Sequence, residues 1–190
     1  MKFNTQARIA LLLAVVMLVT RSQHFATFTH LLPDASVAVF FMAGFYAQSR
    51  LLFPALCVLG VAIDAVAINL AGVSSFCVTP SYIMLIPAYG VMWMGGRWLS
   101  HNAQQNLSGL AKLVGVAALS SFASDLISSG SFYFFGGRFA EPTLAGFLPR
   151  LQLYTPPAMA WAMTYIGIAA MVHVMLVKLS TQHRDLTPAA

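Results

Sequence analysis

The sequence predicts an all-α, polytopic membrane protein with six transmembrane helices and both termini in the cytoplasm. Of its 190 residues, 59% are hydrophobic and only 8% are charged, whereas about 25% of the residues of a typical soluble domain are charged. The apolar residues form six segments, and lysine and arginine occur singly beside them, as membrane topology requires. We therefore expect one membrane domain over residues 1–180 and a short polar cytoplasmic tail over residues 181–190.

The six apolar segments differ in length. A membrane helix needs about 20 residues, which the third to sixth segments provide. The first can be extended through Phe25 and Phe28, and the second is expected to be tilted, kinked at Gly44 or irregular. The segments comprise residues 7–20, 35–47, 51–73, 81–98, 107–132 and 156–179.

The first segment follows Lys2 and Arg8, as the apolar part of a secretory signal peptide would. The sequence after it, from Thr20 to His24, contains no cleavage site with small residues. We interpret the segment as a retained first helix.

The distribution of lysine and arginine predicts the orientation in the membrane. With six spans both termini share a side, and seven basic residues fall on that side against three on the other. Because an excess of basic residues marks the cytoplasmic side, the connections 21–34, 72–80 and 133–155 are expected outside. The third is expected to be a long loop, which in a compact protein is commonly functional. The seven are Lys2, Arg8, Arg50, Arg97, Lys112, Lys178 and Arg184; the three are Arg21, Arg138 and Arg150.

Cys77 is the most informative candidate residue, since it lies in the short outer connection Ser74–Pro80. The other cysteine, Cys57, lies about 30 Å away if the residues between them are helical, which is beyond the reach of a disulfide. A lone outward thiol is suited to holding a soft metal or to reacting. The sequence therefore predicts a functional role for Cys77.

Two carboxylates lie within apolar segments, where a charge is costly and normally faces the bundle interior with a partner. Asp64, about 12 Å from the outer end of its segment, belongs either to a polar binding cavity or to a structural hydrogen bond between helices. Asp125 is interpreted as an interfacial group beside serines that allow close helix contact. His173 is interpreted as a packed or interfacial group near the inner end.

Aromatic side chains recur at helical spacing on the fourth and sixth segments. Such residues commonly anchor helices at the membrane interface. Tyr82 and Tyr154 stand beside the outer connections, where they are equally suited to forming the wall of a pocket for a large flat ligand. Arg150, in the third outer connection, is either a solvated residue or a donor to amide or phosphate groups of a ligand.

Two further patterns concern partners and cofactors. Ala10 and Ala14 form a stripe of small residues on which another membrane helix could pack. No lysine follows a glycine, so the chain lacks the Walker A phosphate loop and is expected to have no ATP site. The metal-binding side chains are too few for structural zinc.

Taken together, these residues resemble the BtuM family of small vitamin B12 uptake proteins of Gram-negative bacteria, which is related to the substrate-binding S-components of energy-coupling-factor transporters. The resemblance covers nearly the whole chain: six spans, Asp64, Tyr82 after the cysteine and Arg150. The cysteine in Ser75–Pro80 is its specific element. The Ala10–Ala14 pair is similar to the stripe by which S-components dock on their coupling partner.

The resemblance implies an S-component-like bundle in the inner membrane that binds cobalamin from the outer face, with Cys77 as an axial ligand of cobalt. Asp64, Tyr82, Arg150 and Tyr154 would contact the corrin or support its pocket. A strong thiolate donor labilises the opposite axial ligand, so Cys77 is also expected to promote loss of cyanide from cyanocobalamin. The sequence leaves two alternatives for how transport is driven: either the protein recruits a coupling module through the first helix, or it transports its substrate alone.

Three other readings of the sequence stay open. In the first, the chain is an S-component-like binder of another vitamin, such as riboflavin or biotin, and Cys77 has no role in binding. In the second it is a membrane thiol redox protein, and in the third it is a structural subunit of a larger membrane complex. A redox role would need a second thiol or an acid–base partner near Cys77, and the Ser74–Pro80 connection offers none.

Overall fold

The structure, a computed structural model, describes residues 3–21, 32–47, 49–70, 72–104 and 106–186, without the side chains of residues 3, 4, 77, 181 and 183–186. Throughout these residues the regular structure is helical. Two short 3₁₀ segments, Ser75–Cys77 and Pro80–Met84, connect the third helix to the fourth. The α-helices are α1 Phe3–Arg21, α2 Ser36–Tyr46, α3 Leu52–Leu70, α4 Leu85–Asn102, α5 Leu107–Phe135 and α6 Leu144–Leu186.

Three of the described helices are long and apolar enough to cross a membrane: α3, α5 and the part Leu144–Ser180 of α6. Helix α2 is apolar but has only 11 residues. Many large apolar side chains are exposed, among them Leu70 at 80% and Leu107 at 82%, as expected where lipid is the solvent. The structure is thus a helical bundle suited to a membrane, and the number of six spans stays a prediction.

The expectation of a long third outer loop over residues 133–155 is wrong. Helix α5 continues to Phe135 and α6 begins at Leu144, so that only residues 136–143 lie between the two helices. The prolines that suggested a loop, Pro149, Pro156 and Pro157, lie inside α6. Interior prolines are tolerated in membrane helices because neighbouring groups satisfy the freed backbone carbonyls. Helix α6 also continues to Leu186, into the segment expected to be a tail.

Helices α1 and α3 pack through residues spaced one helical turn apart. Leu13, Met17 and Arg21 follow at four-residue intervals on α1, and Met17 is fully buried. On α3, a Cβ added to Gly60 would lie 2.9 Å from the Met17 methyl group and 3.9 Å from the central carbon of the Arg21 guanidinium. Since residues four apart share a helix face, Gly60 leaves room for Arg21 to reach Asp64 one turn further along.

Helices α2 and α4 touch through their backbones at the centre of the core. A Cβ added to Gly44 would lie 2.1 Å from the Trp93 carbonyl oxygen, and one added to Gly96 would lie 2.0 Å from the Phe41 carbonyl oxygen. Real Cβ atoms do not approach a carbonyl so closely. Gly44, at which a kink was one of three alternatives expected for the second segment, therefore serves close helix packing.

Candidate functional site

Polar side chains converge at one end of the helix bundle. Helix α1 ends there at Arg21 and α2 begins at Ser36, so their ends meet. Helix α3 ends there at Leu70, and the two 3₁₀ segments that follow it carry Cys77 and Tyr82. This is the end that the charge distribution assigns to the outer face.

An ion pair between Arg21 and Asp64 joins α1 to α3 at this end. The Arg21 Nε lies 2.7 Å from Asp64 Oδ1, and its Nη2 lies 2.6 Å from Oδ2. The two parallel hydrogen bonds give the pair a fixed geometry. The side chains are 10% and 25% exposed, so removing either partner would leave a charge poorly compensated in a largely apolar setting.

Tyr82 extends this ion pair to the segment before α4. Its phenol donates a hydrogen bond of 2.6 Å to Oδ2 of Asp64. Tyr82 lies in the second 3₁₀ segment, before α4. Because an ionised carboxylate can only accept hydrogen bonds, the phenol is the donor in this contact.

The remaining nitrogen of Arg21, Nη1, connects the ion pair to α2 and α4. It lies 3.4 Å from Asp34 Oδ2, 3.1 Å from Ser36 Oγ and 2.8 Å from the Tyr89 hydroxyl oxygen. One carboxylate oxygen of Asp34 accepts hydrogen bonds from both the backbone N–H and the hydroxyl of Ser36, at 2.9 and 2.6 Å. Arg21 is therefore the centre of a polar network that fixes the relative positions of α1 to α4.

The turn that carries Cys77 lies directly before Tyr82 in the chain. Cys77 ends the 3₁₀ segment Ser75–Cys77, and its side chain lies outside the described part of the structure. The chain enters the turn through Gly72, whose φ of 68° is readily adopted only by glycine. The hydroxyl of Ser74 accepts the N–H of Phe76 at 3.2 Å. The backbone that presents Cys77 is thus defined by local hydrogen bonds.

Aromatic rings and two arginines adjoin the Cys77 turn. After α5, Gly137 adopts a φ of 67°, and Arg138 then donates a 3.1 Å hydrogen bond to the Phe76 carbonyl while its guanidinium lies 4.8 Å from the centre of the Phe76 ring. The guanidinium of Arg150, on α6, lies 4.5 Å from the centre of the Phe139 ring. Both contacts have cation–π geometry. The rings of this aromatic group are Phe76, Phe132, Tyr133, Phe134, Phe139 and Phe147.

The residues that the sequence singled out lie in different parts of this end of the bundle. Asp64 and Tyr82 are hydrogen-bonded to each other. Arg150 belongs to the aromatic group that includes Phe76, the residue before Cys77. Tyr154 lies one turn after Arg150 on α6, with 58% of its surface exposed. Arg150 and Tyr154 are thus helical residues rather than loop residues.

Asp125 takes part in a second polar contact, between α5 and α6. Its carboxylate accepts a 2.5 Å hydrogen bond from the Thr155 hydroxyl and a 3.1 Å bond from Ser129. Beside it lies a cavity of about 50 Å³, lined in part by Ser121 and Ser124. The contact joins two helices and gives Asp125 a structural role. Its interpretation as an interfacial group stays a prediction.

A wider, open cavity of about 330 Å³ lies between the same two helices, lined by Phe122, Leu151, Gln152, Thr155, Pro156 and Met159. Neither this cavity nor the smaller one is lined by Asp64 or Tyr82. The polar network around Arg21 is therefore separate from both.

Two other predicted residues or groups lie elsewhere. The centre of the exposed His173 ring lies 5.6 Å from that of Tyr46, and its interpretation as a packed or interfacial group stays a prediction. Ala10 and Ala14 are half-buried on α1, next to Leu11 and Leu12, which are 66% and 62% exposed. Docking of a partner helix on this stripe stays a prediction.

Three further residues belong to the site although the sequence did not indicate them: Arg21, Asp34 and Arg138. From the sequence, Arg21 and Arg138 indicated only the orientation of the chain, although both stand in or beside the expected outer connections, as Cys77 does. A signal was present, because a carboxylate within a span calls for a cationic partner. Arg21 is the first cation on the outer side, and it could have been named on that ground.

Comparison with models of known protein families finds no match for this chain. Comparison with curated protein sequences finds no significant similarity.

Proposed function

We propose that this protein takes up cobalamin across the bacterial inner membrane, binding it from the outer face with Cys77 as an axial ligand of cobalt. One observation carries the proposal. Asp64 and Tyr82, which the sequence indicated as candidate binding residues, are joined by a 2.6 Å hydrogen bond, and Tyr82 follows Cys77 by five residues. Cys77, Asp64 and Tyr82, the three residues suggested for one site, thus belong to α3 and to the short segment that follows it.

The chemistry of the surroundings suits a large amphipathic ligand. Thiolate is a strong and polarisable ligand for a transition metal, and coordination keeps the thiol ionised without a neighbouring base. Arg138 and Arg150 supply hydrogen-bond donors for amide or phosphate oxygens, beside aromatic rings that match the faces of a corrin. In this proposal cobalamin binds over the end of the bundle, outside the two cavities between α5 and α6.

The proposed roles of the remaining residues follow from their contacts. Asp64 and Tyr82 support the Cys77 turn or meet the amide rim of the corrin. Arg150 and Tyr154, on one side of the start of α6, meet the rim or the nucleotide tail. Ala10 and Ala14 offer a docking stripe for a coupling module, which is dispensable if the protein reorients in the bilayer alone.

Coordination by Cys77 is also proposed to release cyanide from cyanocobalamin. The Cys77 thiol loses its proton, and the thiolate replaces the benzimidazole nitrogen of the nucleotide tail on one face of Co(III), which weakens the bond on the other face. Cyanide leaves with its bonding electrons, takes up a proton to form hydrogen cyanide, and water takes its place on cobalt. Cobalt remains Co(III), so no reductant is needed. Equal rates of cyanide release by the wild type and by Cys77→Ala would contradict this step.

Calorimetric titration of the purified protein tests the choice of substrate. Cyanocobalamin, riboflavin and biotin are titrated separately into the wild type, Cys77→Ser and the matched control Cys57→Ser, which alters the half-buried thiol of α3. We expect cyanocobalamin alone to bind, and to bind at least about tenfold more weakly to Cys77→Ser, a change of about 1.4 kcal/mol. Binding of riboflavin or biotin without cyanocobalamin, or equal binding by both serine variants, would exclude the proposed role of Cys77.

A further inference from the structure

We propose that Arg21 is a positioning residue for the turn that carries Cys77 and that it acts through Asp64 and Tyr82. The inference deepens the proposed function and rests on it, since it matters for uptake only if Cys77 binds the ligand. The effect of Arg21 on the mobility of the Cys77 turn can nevertheless be tested separately in the ligand-free protein.

The first link is the ion pair between Arg21 and Asp64. Its two hydrogen bonds, 2.7 and 2.6 Å long, join both carboxylate oxygens of Asp64 to two nitrogens of one guanidinium, an arrangement that restricts their relative orientation. The Arg21 side chain is held at its other edge by Ser36 and Tyr89, at 3.1 and 2.8 Å. Asp64 is therefore held in one orientation by a cation that is itself anchored to α2 and α4.

The second link is the hydrogen bond from the Tyr82 phenol to Asp64 Oδ2. It fixes the 3₁₀ segment Pro80–Met84 against α3. Between this segment and Cys77, the Tyr82 N–H donates to the Thr79 carbonyl at 2.9 Å, and the hydroxyls of Thr79 and Ser81 are 2.7 Å apart. A displacement of Tyr82 is thus passed to the turn through a short hydrogen-bonded stretch.

The third observation concerns the opposite side of the turn. There Arg138 holds Phe76 through a 3.1 Å hydrogen bond to its carbonyl, at an exposed position, and through a 4.8 Å cation–π contact with its ring. The contacts that run from Arg21 through Asp64 to Tyr82, here called the Arg21 arm, are partly buried and comprise three hydrogen bonds. Because burial reduces competition with water, the Arg21 arm is the stronger of the two connections. We therefore infer that loss of the Arg21 arm loosens the Cys77 turn even while Arg138 is intact.

Spin-label spectroscopy of the full-length protein without ligand tests this inference. In a Cys57→Ala background, Cys77 is the sole thiol and is labelled with a nitroxide, whose spectrum gives the ratio of mobile to immobile populations. We expect Tyr82→Phe to raise this ratio roughly 3- to 10-fold, the factor that corresponds to the net contribution of one ordinary hydrogen bond. The paired variant Arg21→Gln with Asp64→Asn removes both charges of the Arg21–Asp64 pair and leaves the Asp34 carboxylate, whose side chain is 39% exposed, to water and to Ser36. This variant is expected to raise the ratio by a similar factor.

Two control variants separate positioning from general loss of structure. Tyr165→Phe removes a phenol that donates a 2.7 Å hydrogen bond to the Pro33 carbonyl at the same end of the bundle. Asp34→Asn alters a partner of Arg21 that is not part of the connection from Arg21 through Asp64 to Tyr82. Both are expected to change the ratio less than about twofold. The melting temperature and the elution profile in size-exclusion chromatography confirm that each variant is folded.

If the paired variant does not fold, Arg21→Lys replaces it. Lysine keeps the charge but lacks the planar guanidinium, so this variant is also expected to raise the ratio.

Coupling between the substitutions provides the decisive comparison. If Arg21 acts through Tyr82, adding Tyr82→Phe to the paired variant raises the ratio little further, because the arm is already broken. An unchanged ratio in the folded variants that alter Arg21, or fully additive effects of the two changes, would overturn the inference. If the parent protein does not bind cobalamin, the proposed function fails, and the positioning role is still decided by these spectra.

Discussion

Arg21 shows how a single buried charge organises this site. Its guanidinium contacts two carboxylates, a serine and a tyrosine, near the last residue of α1 and the first residue of α2. Inside an apolar bundle such a charge is stable only because its hydrogen-bonding capacity is used. The residues around it are therefore arranged by electrostatics, while the rest of the bundle is arranged by packing.

The sequence predicts Asp64 because a carboxylate in an apolar run is rare and demands an explanation. It predicts Tyr82 because an aromatic residue opens the fourth segment. It does not predict which cation meets Asp64, since Arg21 is 43 residues away and the pairing depends on how α1 and α3 pack. Gly60 makes the pairing possible, but the sequence gives no reason to choose it among thirteen glycines.

The hydrogen bond from Thr155 to Asp125 is expected to stabilise the contact between α5 and α6. Thr155→Val keeps the shape of the side chain but leaves the carboxylate without this 2.5 Å bond. We expect a loss of about 1–3 kcal/mol, measured as a fall in the melting temperature of the purified protein. Thr164→Val is the matched control, since its exposed hydroxyl bonds only to its own helix at Ala160. An equal effect of the two substitutions would contradict the structural role assigned to Asp125.

At the scale of helices, the sequence predicts the presence of each helix more accurately than the residues at which it begins and ends. The second and third segments match α2 and α3 within a few residues, because their apolar runs are bounded by polar residues. The sixth begins at Leu144 rather than Pro156, because Pro149, Pro156 and Pro157 indicate a loop in a soluble protein and are tolerated within a membrane helix. The first helix comprises Phe3–Arg21, and the expected extension through Phe25 and Phe28 lies outside the described residues.

The contact between α2 and α4 is expected to tolerate no side chain at Gly44. In Gly44→Ala the added Cβ would meet the backbone oxygen of Trp93 at 2.1 Å, which forces the helices apart. We expect destabilisation of about 1–3 kcal/mol or more, with a lower melting temperature. Gly115→Ala on α5, where a Cβ meets nothing within 4 Å, is expected to be neutral or slightly stabilising. Equal melting temperatures of the two variants would exclude the close packing described for α2 and α4.

At the scale of the whole molecule, connectivity explains why one end is polar. Helices α1 and α3 end where α2 and α4 begin, so the groups that terminate four helices meet in one place. The aromatic group after α5 joins them through Phe76. Composition predicts the membrane class, and the spacing of apolar segments predicts the number of helices. Neither predicts which side chains meet, because that depends on the rotation of each helix about its axis.

The orientation of the molecule can be tested with reporter fusions. Alkaline phosphatase is active only outside the cytoplasm, whereas green fluorescent protein exported in unfolded form stays dark. We expect fluorescent and phosphatase-negative fusions at both termini, since seven basic residues lie on their side against three on the other. A phosphatase-active fusion at either terminus would contradict an even number of spans with cytoplasmic ends, and with it the outward position of Cys77.

The most direct test of the proposed cobalamin site is the visible absorption spectrum of the purified protein after incubation with cobalamin, for the wild type beside Cys77→Ala. We predict that the corrin co-purifies with the wild type and that its absorption bands are shifted, as replacement of an axial ligand by thiolate requires, while Cys77→Ala shows no shift. Bound corrin with identical spectra in the two proteins would remove Cys77 as the cobalt ligand. Absence of bound corrin from both would contradict a role in cobalamin uptake.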